Sequence, residues 1–256
     1  MIPRADFSDL LPRVLSAAAL VLICLGSMWM GGDVWGVFLV IAAGLMGWEL
    51  SRMHNPQVLV QVLFGLLLSA AVLCWLFVSP VWSAVVAAMI VVISFTSHLA
   101  PRRVIGWALA IGIGCAVLQI IRESWGIGWE LWLVLCVVAS DIGGYFVGKT
   151  VGGPKIAPLL SPNKTWSGTV GGWVLAALVG VGAWRLGLDG AEIIPWSVVV
   201  AMAAQLGDVL ESRVKRKAQV KDSSRLIPGH GGLLDRFDGV IGAAVFMALV
   251  LVITES

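Results

Sequence analysis

Long apolar stretches recur along this chain and are separated by short polar segments. A stretch of about 17 to 25 apolar residues is long enough to cross a bilayer as a helix. Nine such stretches can be marked, at residues 13–30, 34–50, 58–78, 81–98, 104–121, 129–148, 167–184, 194–212 and 236–254. The least distinct boundary is the one at Ser79-Pro80. The pattern predicts an all-α, polytopic integral membrane protein with about nine transmembrane helices.

The composition supports this class of protein. Of 256 residues, 59% are hydrophobic and 12% are charged, and a soluble domain of this size cannot bury so much apolar surface. We expect one membrane domain over residues 1–256, because no internal repeat or low-complexity linker divides it. Residues 1–128 would hold spans one to five and residues 129–256 spans six to nine. Loops 149–166 and 213–235 would join the later spans on the cytoplasmic side.

The distribution of basic residues predicts an orientation. If the N-terminus is cytoplasmic, fifteen of the seventeen Lys and Arg residues lie on the cytoplasmic side, and only Arg122 and Arg185 lie on the other. Such an excess is typical of the cytoplasmic loops of membrane proteins. We therefore expect a cytoplasmic N-terminus and a C-terminus outside.

The stretch GGYFVGKT, from Gly143 to Thr150, matches the phosphate-loop pattern G-x-x-x-x-G-K-[ST]. A true phosphate loop follows a buried strand and opens directly into a helix. Here the match ends an apolar span, and Pro154 and Pro158 obstruct a helix that would open at Lys149. We therefore expect the match to be coincidental.

An acidic residue, Asp141, lies within the same span. Ionisable groups in spans are costly and usually face a cavity or a partner. The alternative is a carboxyl satisfied by a neighbouring Ser or backbone group. Gly144 and Tyr145 follow Asp141 at i+3 and i+4, on the same helical face.

Two polar clusters flank the later spans. The first, SPNKTWSGTVGG, begins at Ser161, where Ser161 and Pro162 resemble the N-cap and first residue of a helix. The second runs from Gln205 to Gly239 and contains a basic loop, the sequence PGHGG and the acids of DRFD.

The directions of the spans suggest what these clusters bind. Asp141 and Asp208 lie near the C-terminal, partially negative ends of helices, an arrangement that favours a cation. Carboxylates with few His or Cys residues suit a hard ion such as Mg²⁺. PGHGG and SPNKT precede helix N-termini, where free backbone amides attract phosphate. The alternative is a basic loop that only sets topology and contacts lipid headgroups.

The second cluster resembles a known family. From Ser212 to Asp238 the chain reads S-x-V-K-R-x(4)-K-D-x(5)-P-G-H-G-G-x-x-D-R-x-D, which is similar to the signature of the phosphatidate cytidylyltransferases, or CDP-diacylglycerol synthases. The stretches D-x-x-G-Y-x-x-G-K and S-P-N-K-T-W-x-G also look like that family, and the resemblance covers about residues 139–245. Two positions depart from it: Ser167 stands where Glu is expected, and Gly239 where Ser often follows.

The resemblance implies a metal-dependent nucleotidyltransferase of phospholipid biosynthesis. It would transfer CMP from CTP to phosphatidic acid and release CDP-diacylglycerol and pyrophosphate. The implied cofactor is Mg²⁺, with a second, monovalent cation as an option, and the implied assembly is a homodimer. We expect a multi-pass protein of the bacterial inner membrane whose active site faces the cytoplasm, with no nucleic-acid partner.

Residue chemistry and resemblance together assign four groups of site residues. The catalytic group is Asp208, Asp235, Lys221, His230 and Arg236. The metal ligands are Asp208, Asp235, Asp222 and Asp238. The nucleotide and phosphate group is Asp141, Tyr145, Lys149, Ser161, Lys164, Thr165, Gly231 and Gly232. The lipid phosphate would meet Ser212, Lys215 and Arg216, within a basic run at the bilayer surface.

Two other functions fit parts of the pattern. A polyprenol-kinase-like phosphotransferase would use a similar site with an alcohol acceptor. A secondary transporter would use Asp141 and Asp208 as proton relays, but such proteins place acids near the bilayer midplane and usually have repeated halves. Here the acids crowd one end of the spans.

Overall fold

A computed structural model describes residues 10–96, 102–158 and 160–255. Helices dominate these ranges: α1 (Leu10–Met30), α2 (Gly32–Arg52), α3 (Val58–Leu73), α4 (Pro80–Thr96), α5 (Arg102–Ile120), α6 (Ile127–Val151), α7 (Trp166–Arg185), α8 (Ile193–Lys217) and α9 (Leu234–Glu255). One π-helical turn at Cys74–Val78 continues α3, and another at Ile121–Trp125 continues α5. The short strands β1 (Lys155–Ala157) and β2 (Ser161–Thr165) lie between α6 and α7.

The predicted spans correspond to these helices. In the described part of the chain, eight helices are long and apolar enough to cross a membrane: α1 to α3 and α5 to α9. The span predicted at 81–98 corresponds to α4, which has 17 residues, and its last two positions lie outside the described residues. The predicted boundary at Ser79-Pro80 is a real break, because Ser79 is extended and α4 begins at Pro80. The all-α, polytopic fold is confirmed.

Both loops between the later spans are shorter than predicted. Helix α6 continues to Val151 and α8 to Lys217, so the loops are residues 152–165 and 218–233. The apolar stretch marks where the hydrocarbon ends, but the helix continues through basic residues whose long side chains reach into the polar region.

The predicted helix start at Ser161 is wrong. Ser161 begins β2, which pairs antiparallel with β1, with Lys155 opposite Thr165. Helix α7 begins five residues later, at Trp166, and its N-cap is Thr165, whose side chain accepts a hydrogen bond from the Gly168 amide at 3.1 Å. Thr is a good N-cap residue in its own right, and the strand pairing keeps Ser161 and Pro162 extended.

Glycines let the later helices pack closely. A Cβ atom on Gly143 of α6 would lie 2.7 Å from the Gly171 carbonyl oxygen of α7. A Cβ atom on Gly207 of α8 would lie 2.6 Å from the Asp238 carbonyl oxygen of α9. Small residues at helix interfaces allow such close backbone approach in membranes. The packing holds the C-terminal ends of α6 and α8 beside the N-terminal ends of α7 and α9.

The first spans are joined to the later ones through α9. Helices α2 and α5 both contact α9, and buried side chains of α2, α5, α6, α8 and α9 form one continuous cluster. Trp35, Leu118, Leu133 and Ile241 are among its fully buried members. The site end of the bundle, defined as the end that carries loops 152–165 and 218–233, is therefore supported from both halves of the chain.

Candidate active site

A cleft of about 1090 Å³ opens at the site end of the bundle. Its walls come from α6, the β1–β2 hairpin, α7, α8 and the first turn of α9. Eight residues assigned from the sequence line it: Asp141, Tyr145, Lys149, Ser161, Lys164, Thr165, Asp208 and Arg236. The fold thus brings together three separate sequence clusters.

Positive charge exceeds negative charge on the cleft walls. Four basic residues line the cleft, and they are Lys149, Lys155, Lys164 and Arg236. Two acids, Asp141 and Asp208, line the same space. A partly enclosed cleft focuses the field of its charges, so this one attracts an anion with several negative charges.

An ion pair between Lys164 and Asp208 spans the cleft. Lys164 lies on β2 and Asp208 on α8, and their side chains are 30% and 27% exposed. Ser212, one turn further along α8, donates a hydrogen bond to the Asp208 carboxylate at 3.3 Å. Asp141 is close enough to interact electrostatically with Asp208, Lys164 and Arg236. Both groups of the pair remain accessible to a ligand.

Tyr145 and Lys149 form a second contact on the α6 wall. The Lys149 ammonium donates to the Tyr145 hydroxyl at 3.3 Å and lies 5.4 Å from the centre of its ring. Both side chains are exposed. A cation next to an aromatic face offers a surface for a phosphate and a base together.

Ser167, which departs from the family pattern, has a local structural role. Its hydroxyl donates to the Gly152 carbonyl oxygen and lies 3.0 Å from the Thr165 hydroxyl. These contacts tie the start of loop 152–165 to the capped N-terminus of α7. The serine therefore fixes the hairpin that carries Lys164.

The match to a phosphate loop is not a loop in the structure. Gly143 to Thr150 lie entirely within α6, and the Thr150 hydroxyl donates back to the Phe146 carbonyl oxygen at 2.8 Å. The glycines serve close packing, since a Cβ atom on Gly148 would lie 2.9 Å from the Thr165 hydroxyl. The backbone amides of these residues are used by the helix itself.

We expect Thr150→Ala to change nucleotide use less than twofold, because that hydroxyl bonds its own helix. ATP in excess should compete poorly with labelled CTP, the nucleotide that the family resemblance implies. Strong competition by ATP, together with loss of nucleotide binding in Thr150→Ala, would restore the phosphate-loop interpretation.

A buried carboxylate, Glu49 of α2, organises loop 218–233. Its side chain is 0% exposed, and it accepts hydrogen bonds from the Ser224 hydroxyl at 2.6 Å, the Leu233 amide at 2.9 Å and the Leu234 amide at 2.7 Å. The Ser223 hydroxyl donates a fourth at 3.3 Å. A carboxylate at the N-terminus of a helix satisfies free amides and complements the helix dipole. Glu49 thus caps α9 from another helix.

Asp235, in the first turn of α9, completes this arrangement. Its carboxylate accepts from the Lys215 ammonium at 2.7 Å, the Ser223 amide at 2.9 Å and the Gly232 amide at 2.8 Å. Lys215 also pairs with Glu211. We call Glu49, Glu211, Lys215, Ser223, Ser224 and Asp235 the Glu49 network.

The network corrects two expectations. The Gly232 amide, expected to face phosphate, is used by Asp235, and neither Gly231 nor Gly232 lines the cleft. Lys215, expected at the bilayer surface, is 8% exposed and neutralised by two carboxylates. Buried cations are paired because an unpaired one is very costly, and the sequence does not show that two acids surround this lysine.

The remaining assigned residues lie around the cleft rather than in it. His230 sits in a tight turn closed by Ile227 and Gly231, with its imidazole 3.4 Å from the Ser16 hydroxyl of α1. Arg236 reaches from the cleft to donate to the His230 carbonyl oxygen at 3.1 Å. Three further assigned side chains are exposed outside the cleft: Arg216, Lys221 and Asp222.

The assigned metal ligands do not form a compact set of donors. Among the described residues, no group of three or more His, Cys, Asp or Glu side chains is arranged to hold an ion. Acids are nevertheless concentrated here, since Glu211 interacts electrostatically with both Asp208 and Asp235, and Asp238 with Asp208 and Glu211. Mg²⁺ commonly takes one or two carboxylates together with substrate phosphates. This group of four acids beside the cleft, of which Asp208 lines it, therefore fits Mg²⁺ delivered with a nucleotide.

The sequence analysis missed Glu49 and Glu211. Both lie in predicted spans, at 34–50 and 194–212, and both are fully buried. The argument applied to Asp141, that an acid in a span has a reason to be there, holds equally for these two. That signal was sufficient to find them.

Comparisons with known proteins agree with the geometry. Residues 11–254 match the sequence model of the cytidylyltransferase family. The phosphatidate cytidylyltransferase of Brucella suis is 33% identical over 94% of this chain and 93% of its own length. That of Helicobacter pylori is 35% identical over 69% of this chain and 67% of its own. That of Mycobacterium bovis is 39% identical over 49% of this chain and 42% of its own. The chain therefore belongs to the cytidylyltransferase family.

Proposed function

We infer that the protein has phosphatidate cytidylyltransferase activity: it transfers CMP from CTP to phosphatidic acid and forms CDP-diacylglycerol and pyrophosphate. Relatives with that name match nearly the whole chain. The structural observation that carries the inference is the cleft, in which four cations face two carboxylates at one end of a membrane bundle. Its volume of about 1090 Å³ is slightly above the usual range of about 300 to 1,000 Å³ for small-molecule sites, which leaves room for a nucleoside triphosphate.

The reaction needs little proton chemistry from the protein. A phosphate oxygen of phosphatidic acid attacks the α-phosphorus of CTP. The bond between the α-phosphorus and the oxygen that bridges it to the β-phosphorus breaks. Pyrophosphate leaves with the bonding electrons. Because the attacking oxygen is already an anion, no strong general base is required. Catalysis then consists of holding the two phosphates in line and neutralising the charge that develops.

Different residues of the cleft have different roles in this reaction. Lys164, Lys149 and Arg236 neutralise the triphosphate and the departing pyrophosphate. Exposed rings of Tyr145 and Trp166 on the cleft walls offer stacking surfaces for the base. The Glu49 network keeps α9, and with it Arg236, in place beside α8.

We propose Mg²⁺ as the cofactor. Asp208 on the cleft wall would hold it, and Asp235 would be a second ligand in place of the Lys215 ammonium that it now accepts from. Asp238 interacts electrostatically with Asp208. When bound, the ion neutralises phosphate charge and polarises the phosphorus centre. A second, monovalent cation and a homodimer are further proposals that rest on the family resemblance. Isothermal titration with Mg²⁺ or K⁺ and light scattering in detergent test them separately.

We also propose that the site faces the cytoplasm from the bacterial inner membrane. Two observations support this orientation: fifteen of seventeen basic residues lie on the side of the site in the nine-span topology, and the relatives above are bacterial. CTP is a cytosolic nucleotide, so the other orientation would separate enzyme from substrate. Labelling of single cysteines in loops 152–165 and 186–192 from either side of vesicles tests the orientation.

A radiochemical assay tests the activity. Purified protein in detergent with phosphatidic acid, Mg²⁺ and CTP labelled at the α-phosphorus should form labelled, lipid-extractable CDP-diacylglycerol and release one pyrophosphate per turnover. Transfer of label from γ-labelled CTP to a polyprenol, with none from α-labelled CTP to phosphatidic acid, would instead identify the alcohol phosphotransferase. Protein that catalyses neither reaction would overturn the proposed function.

Lys164→Ala should impair the use of CTP. Loss of a charge-assisted phosphate contact costs about 1.5 to 3 kcal/mol, or roughly ten- to a hundredfold in kcat/KM for CTP. The KM for phosphatidic acid should change little. Steady-state kinetics with each substrate varied separately measures both.

Lys155→Ala is the matched control for Lys164→Ala. Lys155 also lines the cleft from the hairpin, but it does not pair with Asp208, so its effect should be several-fold smaller. If Lys164→Ala raises only the phosphatidate KM, Lys164 serves the lipid and not the nucleotide.

A further inference from the structure

A second cavity lies on the lateral surface of the bundle, between α5, α8 and α9. This α5–α8 groove has a volume of about 620 Å³. Along most of its length the walls are apolar, with Ala110 on α5, Leu210 on α8, and Val245, Phe246 and Leu249 on α9. Apolar walls in contact with the bilayer suit a hydrocarbon chain.

The end of the groove nearest the loops is basic. Arg103 contributes from the first turn of α5, and Arg213 and Lys217 contribute from the last turns of α8. No ion pair in the described part of the chain involves any of the three. The groove therefore has a cationic mouth above an apolar body, which is the polarity of an anionic lipid.

Arg103 is held in position at this mouth. Its Nε donates to Nε2 of His54 at 3.4 Å, and Nδ1 of His54 lies 3.1 Å from the Leu50 carbonyl oxygen. Burial is the main cause that lowers the pKa of His54, with Arg103 adding to it. The neutral imidazole can donate to Leu50 and accept from Arg103, so the guanidinium stays in place without being neutralised.

The groove adjoins the cleft. Leu206 of α8 lines both cavities, and Arg213 follows Asp208 by five residues, about 7.5 Å along the helix. Two other lateral cavities, of about 440 and 800 Å³, contain no charged residue in their lining. Charge complementarity therefore singles out the α5–α8 groove as the one suited to a phosphate-bearing lipid.

We propose that the α5–α8 groove binds phosphatidic acid, with the phosphate at Arg103, Arg213 and Lys217 and an acyl chain along the apolar walls. The proposal rests on the proposed function and adds the location of its lipid substrate. It replaces Lys215 and Arg216 as lipid contacts, because Lys215 is neutralised and Arg216 donates to the Val220 carbonyl oxygen.

Gly106→Leu tests the apolar part of the groove. Gly106 lines the groove in α5, and an added Cβ atom would meet nothing within 4 Å, so a leucine side chain would start in open space at the groove. We expect at least tenfold lower kcat/KM for dioleoyl phosphatidic acid, and less than a threefold change for the dihexanoyl form, whose chains are too short to fill the groove.

Gly112→Leu is the matched control on the same helix. Its added Cβ atom also meets nothing within 4 Å, but it lines the 440 Å³ cavity. We expect wild-type kinetics with both lipids. If Gly106→Leu and Gly112→Leu behave alike with dioleoyl phosphatidic acid, the acyl chain does not lie in the α5–α8 groove.

Arg213→Ala and Lys217→Ala test the mouth. Each should raise the phosphatidate KM, and the double variant should raise it roughly ten- to a hundredfold, while the KM for CTP stays within twofold. An unchanged phosphatidate KM in the double variant would overturn the proposal. If the wild-type protein transfers CMP to phosphatidic acid in the same experiment, the proposed function stands even when the groove proposal fails. If the wild-type protein transfers CMP to neither the dioleoyl nor the dihexanoyl lipid, the proposed function itself is refuted.

Discussion

Asp208→Asn should abolish CMP transfer while the protein remains folded and inserted. Asp208 is the carboxylate that lines the cleft, pairs with Lys164 and accepts from Ser212. The amide keeps the shape of the side chain but removes the charge that holds Lys164 and would hold Mg²⁺. We expect kcat to fall at least a thousandfold in the radiochemical assay, with a thermal midpoint within about 3 °C of wild type.

Asp222→Asn is the comparison for this substitution, because the sequence also assigned Asp222 as a metal ligand but the structure places it outside the cleft. Asp222 is an exposed carboxylate in loop 218–233 that does not line the cleft. Its replacement should leave at least a third of wild-type activity. Wild-type turnover in Asp208→Asn would remove Asp208 from the site. An equal loss in Asp222→Asn would place a metal ligand in the loop instead.

Glu49→Ala should produce the largest loss of stability. The substitution leaves the amides of Leu233 and Leu234 and the hydroxyl of Ser224 without their acceptor in a buried place. Each buried donor left without a partner costs about 1 to 3 kcal/mol, so we expect a loss of at least 3 kcal/mol. At about 2 to 4 °C per kcal/mol for a chain of this size, the thermal midpoint in detergent should fall by about 6 to 12 °C or more.

Glu130→Ala is the comparison for Glu49→Ala. Glu130 of α6 is equally buried, but its carboxylate accepts no hydrogen bond among the described residues, and its cation, Arg122, lies 3.9 Å away. Arg122 also donates to the carbonyl oxygens of Met28 and Trp29. Because Arg122 keeps those two acceptors, Glu130→Ala should cost much less stability than Glu49→Ala. Equal midpoints for the two variants would show that the hydrogen bonds of Glu49 do not hold α9.

The sequence predicted the helices well because apolar stretches report directly on the hydrocarbon that surrounds them. It predicted helix ends less well, since α6 and α8 continue past the apolar stretch to Val151 and Lys217. It also wrongly placed Ser161 at the N-cap of a helix. The pairing of Lys155 with Thr165, which keeps that segment extended, joins residues that local cues do not connect.

The same limit applies to the site. Residue type and family resemblance identified the cleft residues Asp141, Lys164, Asp208 and Arg236, because their chemistry suits a nucleotide. They misplaced Lys215, whose surroundings depend on Glu211 and Asp235 from two helices. Partners supplied by tertiary packing decide whether a charged side chain meets substrate or supports the fold.

Glu49 also has a consequence for how the protein is made. It precedes Ser223 by 174 residues, so at about 5 to 20 residues per second its partners are synthesised roughly 9 to 35 s later. An acid near a span adds up to about 3 kcal/mol to the free energy of membrane insertion, and during this interval α2 has none of its final donors. Helix α2 is therefore synthesised second, but Glu49 acquires its hydrogen-bond donors only when loop 218–233 and the start of α9, the last helix, have been made. A nascent chain stopped before Ser223 would therefore keep the Glu49 carboxylate without the donors that satisfy it in the folded protein.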